Sequence, residues 1–145
     1  MPVTAVSGSA SGIGAAVCQA LRAAGHRVIG IDRANAEVIA DLSSAGGRQA
    51  AISAVLLQSA GVLDGLVCCA GVGSSAMSET IVSVNYFGVS ELLDGLADAL
   101  AKGDSPAAVV IGSIAATHAK PDQQPMVAAM LADNETLALE HANAL

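Results

Sequence analysis

The sequence has almost no aromatic side chains, because Tyr86 and Phe87 are the only two residues of that kind among 145. Hydrophobic residues nevertheless make up 53% of the chain, and the mean hydropathy is +0.59. A single domain of this length therefore has to fill its core with Ala, Val, Ile and Leu. Such a core suits a closely packed parallel sheet that is covered by helices.

Positive charge is also scarce, since 6 Lys and Arg stand against 13 Asp and Glu and give a net charge of −7. Binding along a nucleic-acid backbone needs clustered Lys and Arg, so we predict no nucleic-acid partner. A single dinucleotide is compatible with this charge, because backbone N–H groups and a helix N-terminus can hold its phosphates.

Long apolar runs are missing, and none approaches the ~18 residues of a membrane span. No basic and then apolar region precedes the first motif, so we expect neither a membrane partner nor a signal peptide. The three cysteines, Cys18, Cys68 and Cys69, are too few for a disulfide framework, which predicts a reducing cytoplasm. We expect them to pack as small apolar side chains. With three scattered histidines they show no metal-ligand spacing, so we predict no metal site.

The chain instead alternates short apolar runs with helical segments. The predicted strands are Val3–Ser7, Val28–Ile31, a weaker Glu37–Ala40, Gly65–Cys69 and Ala107–Ile111. The predicted helices are Ile13–Ala24, Arg48–Ser59, Glu79–Lys102, Met126–Ala132 and Glu135–Ala144. This alternation predicts an α/β fold with a doubly wound parallel sheet.

The chemically distinctive residues all follow predicted strands. They are Ser7–Gly8, Asp32, Asp41, Ala70–Gly71 and Ser113. Because the carboxyl ends of parallel strands meet at one edge of a sheet, and ligands bind beyond that edge, we expect these residues to share a site.

The turn after the first strand carries glycines in a G-x-x-x-G-x-G spacing. Gly8 permits a tight turn, Gly12 lets the backbone approach a pyrophosphate, and Gly14 lets the helix pack closely on the strand. The helix N-terminus adds a partial charge of about +0.5. We favour this interpretation over a merely flexible Gly/Ser turn, because a strand precedes the loop and a helix follows it. The predicted phosphate-loop residues are Ser7, Gly8, Ser11, Gly12, Ile13 and Gly14.

Asp32 ends the second strand, where a carboxylate can accept both ribose hydroxyls of NAD and repel a 2′-phosphate. We therefore predict NAD as the cofactor, while the neighbouring Arg33 keeps NADP as the alternative. Asp41 and Leu42 are predicted to contact the adenine as a polar group and an apolar wall. The alternative for Asp41 is a helix N-cap. Ala70–Gly71 completes the predicted cofactor site.

These motifs together resemble the short-chain dehydrogenase/reductase family from Val3 to about His118. The stretches that carry the resemblance are Ser7–Gly14, Asp32, Asp41–Leu42, Cys68–Gly71, Val84–Gly88 and Val110–Ser113. Gly30–Asp32, Ala36–Ser43 and Ser83–Gly88 further resemble its bacterial 3α-hydroxysteroid dehydrogenase/carbonyl reductase subgroup. The resemblance implies a Rossmann-like sheet of five strands in the order 3-2-1-4-5, truncated after the fifth. Residues 1–118 then form an NAD-binding domain, and residues 119–145 form a helical tail in which the subgroup's insertion begins.

The resemblance also implies a reaction, which is reversible hydride transfer between a nicotinamide and a secondary alcohol or carbonyl. The substrate is then a small molecule of that kind, such as a hydroxysteroid. Asn85 matches the family Asn that supports a water-linked proton relay, and Ser113 matches the Ser that hydrogen-bonds the substrate oxygen. The alternatives are a helix-surface Asn and a strand-end Ser that caps the next segment.

The family's Tyr-x-x-x-Lys pair is absent from this sequence. Tyr86 is the only tyrosine, and Ser90 stands where the motif would place Lys. A free Tyr has a pKa of about 10, and the family Lys helps to lower it, so that the pair supplies general acid–base catalysis of about 10²–10⁴-fold. We therefore expect the chain to be inactive or very slow as a dehydrogenase.

The family's later strands have no counterpart in this sequence, which leaves three hypotheses. The chain is the N-terminal portion of a longer oxidoreductase, a non-catalytic NAD-binding module or subunit completed by a partner, or a remnant without a ligand. In each case strand five has an open outer edge. We expect the chain to be marginally stable, to associate as a homo-oligomer, or to cover the bare face with Met126–Leu145.

Overall fold

The sheet occupies the centre of the computed structural model, which describes residues 1–145. Its strands are β1 (Val3–Ser7), β2 (Arg27–Asp32), β3 (Val38–Ile39), β4 (Gly65–Cys68) and β5 (Ala107–Val110). All of them pair in parallel, in the order β3-β2-β1-β4-β5. The parallel Rossmann-like sheet and its predicted strand order are therefore confirmed.

Helices connect these strands and extend beyond the last one. They are α1 (Gly12–Ala23), α2 (Ala45–Gln58), α3 (Ser78–Val82), α4 (Gly88–Ala101), α5 (Gln124–Leu131) and α6 (Glu135–Asn143). Short 3₁₀ segments cover Ile114–His118 and Pro121–Gln123. No helix combines the length and the apolar character that crossing a bilayer requires.

Helix α1 is terminated by the glycine that follows its C-cap, Gly25. Gly25 adopts a φ of +87°, and the N–H of His26 donates to the carbonyl of Leu21 at 2.9 Å. This is a Schellman cap, which satisfies the last carbonyls of the helix and turns the chain into β2.

The predicted helix Glu79–Lys102 is not continuous. Ser83–Phe87 forms a π-helical turn between α3 and α4, and the N–H of Gly88 donates to the carbonyl of Ser83. Apolar periodicity does not reveal such a turn, because one inserted residue shifts the pattern by less than a third of a turn. Single π turns often occur at functional sites, and this one contains Asn85.

Two apolar layers separate the sheet from its helices. On one face, Cys18 of α1 packs against Val6 and Val28. On the other face, α2 and α4 cover a larger cluster, whose fully buried members include Ala5, Ile29, Ile31, Leu66, Leu92 and Leu96. The sheet therefore has its core on both faces, as its continuous apolar strands predict.

The three cysteines belong to these layers. Burial raises the pKa of the Cys68 thiol to about 11, and it also raises the pKa of Cys18 and of Cys69. A raised pKa keeps a thiol protonated and weakly nucleophilic at neutral pH. The side chains thus behave as small apolar groups.

The C-terminal helices do not cover β5. They pack against α3 and the π-helical turn, where Val82 and Phe87 meet Ala129, Ala138 and Ala142 in a separate apolar cluster. The expectation that residues 126–145 cover the bare face of the fifth strand is therefore wrong, because the apolar side of these helices is already buried on Phe87.

Strand β5 remains exposed along its whole length. Val109 and Val110 each keep 48% of their accessible surface, and the following Ile111 keeps 43%. Val109 aligns with Val67 of β4 and so lies on the same face as α1. An open strand edge with apolar side chains is a site for association.

We expect Val109→Lys to reduce the fluorescence of a dye that binds exposed apolar surface, and to raise the protein concentration at which the chain aggregates. The charge interrupts the apolar edge without removing a buried contact. Leu57→Lys is the matched control, since Leu57 is 83% exposed on α2, away from this edge. An equal reduction of dye fluorescence in both variants would show that the added charge, and not the apolar edge, causes the effect.

Asp64 links the start of β1 to the loop before β5 through two hydrogen bonds. Its Oδ2 accepts the N–H of Val3 and its Oδ1 accepts the N–H of Asp104, each at 2.8 Å. The bond from Val3, and then the bond from Asp104, hold the pKa of Asp64 below its ordinary value. A carboxyl group of this kind stabilises the folded state only while it is ionised.

We expect the free energy of unfolding of Asp64→Asn to depend less on pH in the acid range than that of the unmodified chain. The pKa of Asp64 is lower in the folded chain than the unfolded value of about 3.9, so its contribution is present above that pH and is lost as the pH falls through the folded value. Urea unfolding at a series of pH values from neutral to acid measures this dependence. Asp98→Asn, at an exposed position of α4, is the control. Parallel profiles for Asp64→Asn and the unmodified chain would contradict the assignment.

Candidate functional site

A cavity of about 370 Å³ lies at the carboxyl ends of β1, β2 and β4. Its lining includes the predicted residues Gly8, Ser11, Gly12, Ile13, Gly14, Asp32, Asp41, Leu42, Ala70 and Gly71. This volume falls in the range of about 300–1,000 Å³ that is usual for ligand sites. The structure thus brings residues from several strand ends into one site.

The glycine loop is packed too closely for side chains at two of its positions. A Cβ atom on Gly14 would lie 1.9 Å from the carbonyl oxygen of Gly8. Gly8 itself has a φ of +70°, and its Cβ would lie 2.7 Å from the backbone nitrogen of Ala70. Gly12 differs, because it has a φ of +53° and its Cβ would meet no protein atom within 4 Å. Gly12 therefore leaves space beside the cavity, whereas Gly8 and Gly14 are required by packing.

The first turn of α1 presents uncapped backbone donors to this cavity. Ser11 occupies the N-cap position but makes no side-chain capping bond, and the first turn contains no acidic residue. The first N–H groups of a helix have no partner within the helix, and they carry its partial positive charge. This geometry favours a phosphate or another anion as the ligand.

Asp32 is fixed at the end of β2 by two backbone donors. Its Oδ2 accepts the N–H of Ala10 at 2.9 Å, and its Oδ1 accepts the N–H of Arg33 at 2.7 Å. Each carboxylate oxygen can accept a second hydrogen bond. The side chain is therefore oriented by the loop and still able to bind a ligand hydroxyl.

Asp41 and Leu42 form a second wall of the cavity. Asp41 Oδ1 accepts the N–H of Ser43 at 2.9 Å, and hydrogen bonding by Ser43 lowers the pKa of Asp41. The N-cap of α2 is Ser44, whose hydroxyl accepts the N–H of Gly47 at 3.0 Å. The alternative that Asp41 caps this helix is therefore wrong.

Ser7 is the one predicted cofactor residue outside the cavity lining. Its side chain is 1% exposed, and its hydroxyl accepts the N–H of Ala70 at 3.2 Å. The bond joins the carboxyl ends of β1 and β4. Ser7 thus supports the loop that carries Ala70.

Neither Asn85 nor Ser113 lines the cavity, although Asn85 is bonded to Val72, which does. Asn85 accepts the N–H of Val72 at 2.8 Å and donates to the carbonyl of Val72 at 3.0 Å. Ser113 caps the segment that follows β5, where its hydroxyl accepts the N–H of Ala115 at 3.1 Å. Ser113 follows β5, and Asn85 is bonded to the loop that follows the neighbouring parallel strand β4.

Sequence reasoning missed part of the lining. The additional lining residues include Ser43, Val72, Thr80 and Val84. Ser43 and Val72 directly follow the predicted site residues Leu42 and Gly71, so a wider window around each of these would have included them. Val84 had no such signal, because its position depends on the π-helical turn. No three His, Cys, Asp or Glu side chains come together in a way that could hold a metal ion.

Comparison with known proteins identifies the family of this chain. The model of the short chain dehydrogenase family matches residues 2–132. The 3-alpha-hydroxysteroid dehydrogenase/carbonyl reductase of Comamonas testosteroni is 49% identical over 98% of this chain, which spans 57% of that protein's length. The coniferyl-alcohol dehydrogenase of Pseudomonas sp. strain HR199 is 38% identical over 69% of this chain and 40% of its own length.

Solved structures give the same result. The 3-alpha-hydroxysteroid dehydrogenase from Pseudomonas sp. B-0831, complexed with NADH, has a TM-score of 0.92 and 59% identity, covering 98% of this chain and 61% of its own. The aldohexose dehydrogenase of Thermoplasma acidophilum, with a TM-score of 0.67 and 21% identity over 99% of this chain and 56% of its own, shares the fold alone. From the family match and these relatives together, this chain belongs to the short chain dehydrogenase family.

Proposed function

We propose that this chain is the NAD-binding portion of an oxidoreductase that transfers hydride between a nicotinamide and a secondary alcohol or carbonyl, with a hydroxysteroid as the substrate class. The observation that carries the proposal is the single cavity that joins the first turn of α1, Asp32 and Leu42. The NADH complex of the Pseudomonas relative supports it, as does the name of the Comamonas relative.

The residues of the cavity fit a dinucleotide. Gly12, Ile13 and Gly14 line the cavity, and the first turn of α1 has no side-chain cap, so its backbone donors can bind a pyrophosphate. Asp32 can accept the ribose hydroxyls, and Leu42 offers an apolar wall to the adenine. When bound, the cofactor supplies or accepts the hydride; the chain binds and orients it.

We propose NAD rather than NADP as the preferred cofactor. Asp32 places a negative charge at the strand end where a 2′-phosphate would lie, and like charges repel. Arg33 lines the same cavity and is exposed, so it provides the only nearby positive charge on that strand end. The balance between the two side chains determines the preference.

We further propose that Asn85 and Ser113 are the catalytic residues that this chain contributes. Asn85 is already oriented by its two bonds to Val72. The hydroxyl proton of Ser113 remains free to donate to a substrate oxygen, because its capping bond uses the hydroxyl only as an acceptor.

A second candidate is an NAD-binding module without turnover, or a subunit completed by a partner. The observation that favours it is the position of Tyr86, the only tyrosine. Its ring packs edge-on against Phe87 with centroids 5.0 Å apart, in the cluster formed with α5 and α6. The ring of Tyr86 therefore packs in this cluster. Tyr86 does not supply the proton transfer that the family tyrosine performs.

Domain organisation and location complete the proposal. We propose residues 1–118 as the NAD-binding domain and residues 119–145 as a helical tail. Free thiols at all three cysteines favour the cytoplasm. The exposed β5 favours association into a homo-oligomer.

Titration with NADH and NADPH, followed by calorimetry or cofactor fluorescence, tests the binding site through Asp32→Asn. We expect the Kd for NADH to rise about 10-fold, because hydrogen bonds to a charged acceptor contribute about 1.5–3 kcal/mol. The Kd for NADPH should fall, since the repulsive charge is gone. Asp98→Asn serves as the control and should change neither constant. An Asp32→Asn chain that binds NADH as tightly as the unmodified chain would refute the assignment.

Gly12→Ala separates binding from folding. Alanine at this left-handed φ costs about 1–2 kcal/mol of stability, since no neighbouring atom clashes with it. We expect the Kd for NADH to rise at least about 10-fold, because the methyl group fills the approach to the backbone. Gly46→Ala, in α2 with open space around it, should leave the Kd unchanged. Unaltered NADH binding by a folded Gly12→Ala chain would contradict the phosphate-loop role.

A further inference from the structure

Arg48, in the first turn of α2, is fully buried. Its Nη1 donates to the carbonyl of Leu42 at 3.0 Å and to the carbonyl of Ser83 at 3.4 Å. Its guanidinium carbon lies 6.0 Å from the ring centre of Phe87. A buried charge of this kind is costly unless its donors are satisfied and its charge is paired.

Two carboxylates from different helices pair this charge. Arg48 Nε lies 3.0 Å from Oε2 of Glu91 in α4, and Nη2 donates to Oε2 of Glu135, the first residue of α6. The other oxygen of Glu135 accepts the hydroxyl of Ser83 at 3.3 Å. Glu135 therefore binds both the guanidinium and the start of the π-helical turn.

The bonds of Arg48 reach two walls of the cofactor cavity. Leu42 lines the cavity, and Ser83 immediately precedes Val84, which also lines it. The Leu42 side chain packs against Gly88, where an added Cβ would come within 3.5 Å of it. One guanidinium thus holds the wall before α2 and the wall formed by the π-helical turn in a fixed relation.

We propose that Arg48 and Glu135 are positioning residues for the adenine end of the cofactor cavity. Arg48 orients Leu42 and Ser83, and Glu135 keeps Arg48 in place by accepting a hydrogen bond from its Nη2. Through this link the C-terminal helix α6 sets the affinity of a cavity that it does not line. The inference rests on the proposed function, because it concerns the same cavity.

Removing the charge of Glu135 is the gentler test. Its side chain is 25% exposed, whereas Arg48 is fully enclosed and its replacement would leave two carboxylates without their partner. Glu135→Gln keeps the size of the side chain and weakens the charged bond. Arg48 then has to find another acceptor, which shifts the carbonyl of Leu42 or of Ser83.

Calorimetric titration of the full chain with NADH and with AMP measures the effect. We expect Glu135→Gln to raise both Kd values about 3- to 10-fold, as is usual for substitutions in a coupled network. Asn143→Ala is the matched control, because Asn143 also joins α6 to α3, through an exposed bond to Glu79 at 3.1 Å that does not involve Arg48. It should change both constants less than about 2-fold.

The binding stoichiometry separates positioning from loss of fold. An unfolded fraction lowers the stoichiometry and leaves the Kd of the folded fraction unchanged, whereas a displaced wall raises the Kd at full stoichiometry. A folded Glu135→Gln chain with unchanged Kd values, or an equal rise in Asn143→Ala, would overturn the inference. Failure of the unmodified chain to bind NADH would instead overturn the proposed function.

Discussion

The close approach of α1 to the loop that precedes it is the constraint on which the site depends. At Gly14 the helix backbone passes so near the carbonyl of Gly8 that a Cβ atom would lie 1.9 Å from that oxygen. This contact places the first turn of α1 at the carboxyl edge of the sheet. The first turn of α1 and Asp32 thereby line the same cavity.

Parallel pairing brings the other residues to the same edge. Ser7 of β1 aligns with Ile31 of β2 on one side and with Cys68 of β4 on the other. The residues that follow each strand are therefore neighbours in space although they are distant in sequence. This is why short apolar runs and the residues after them predicted a parallel sheet and most of the cavity lining, whereas the strand order was implied by the resemblance to a known family. A local feature likewise ends α1, because Gly25 adopts the left-handed conformation that closes the helix.

Features that depend on distant contacts could not be predicted in this way. The π-helical turn at Ser83–Phe87 departs too little from helical periodicity to be visible in the sequence. Arg48 carries no motif, and its burial follows from meeting Glu91 and Glu135, which come from helices far along the chain. The position of the tail depended on whether α5 and α6 bury their apolar side on β5 or on Phe87. Composition favours neither surface.

The charge of the chain explains why the proposed anion site is built from backbone groups. With a net charge of −7, side chains alone would repel a pyrophosphate, so the attraction has to come from oriented N–H groups at short range. Asp32 can then serve as a selective acceptor, because the phosphates are held elsewhere. The N–H groups of Ala10 and Arg33 hold the carboxylate of Asp32 in place at the end of β2. In the proposed function, phosphate binding and ribose selection therefore fall to different chemical groups, and each can change without removing the other.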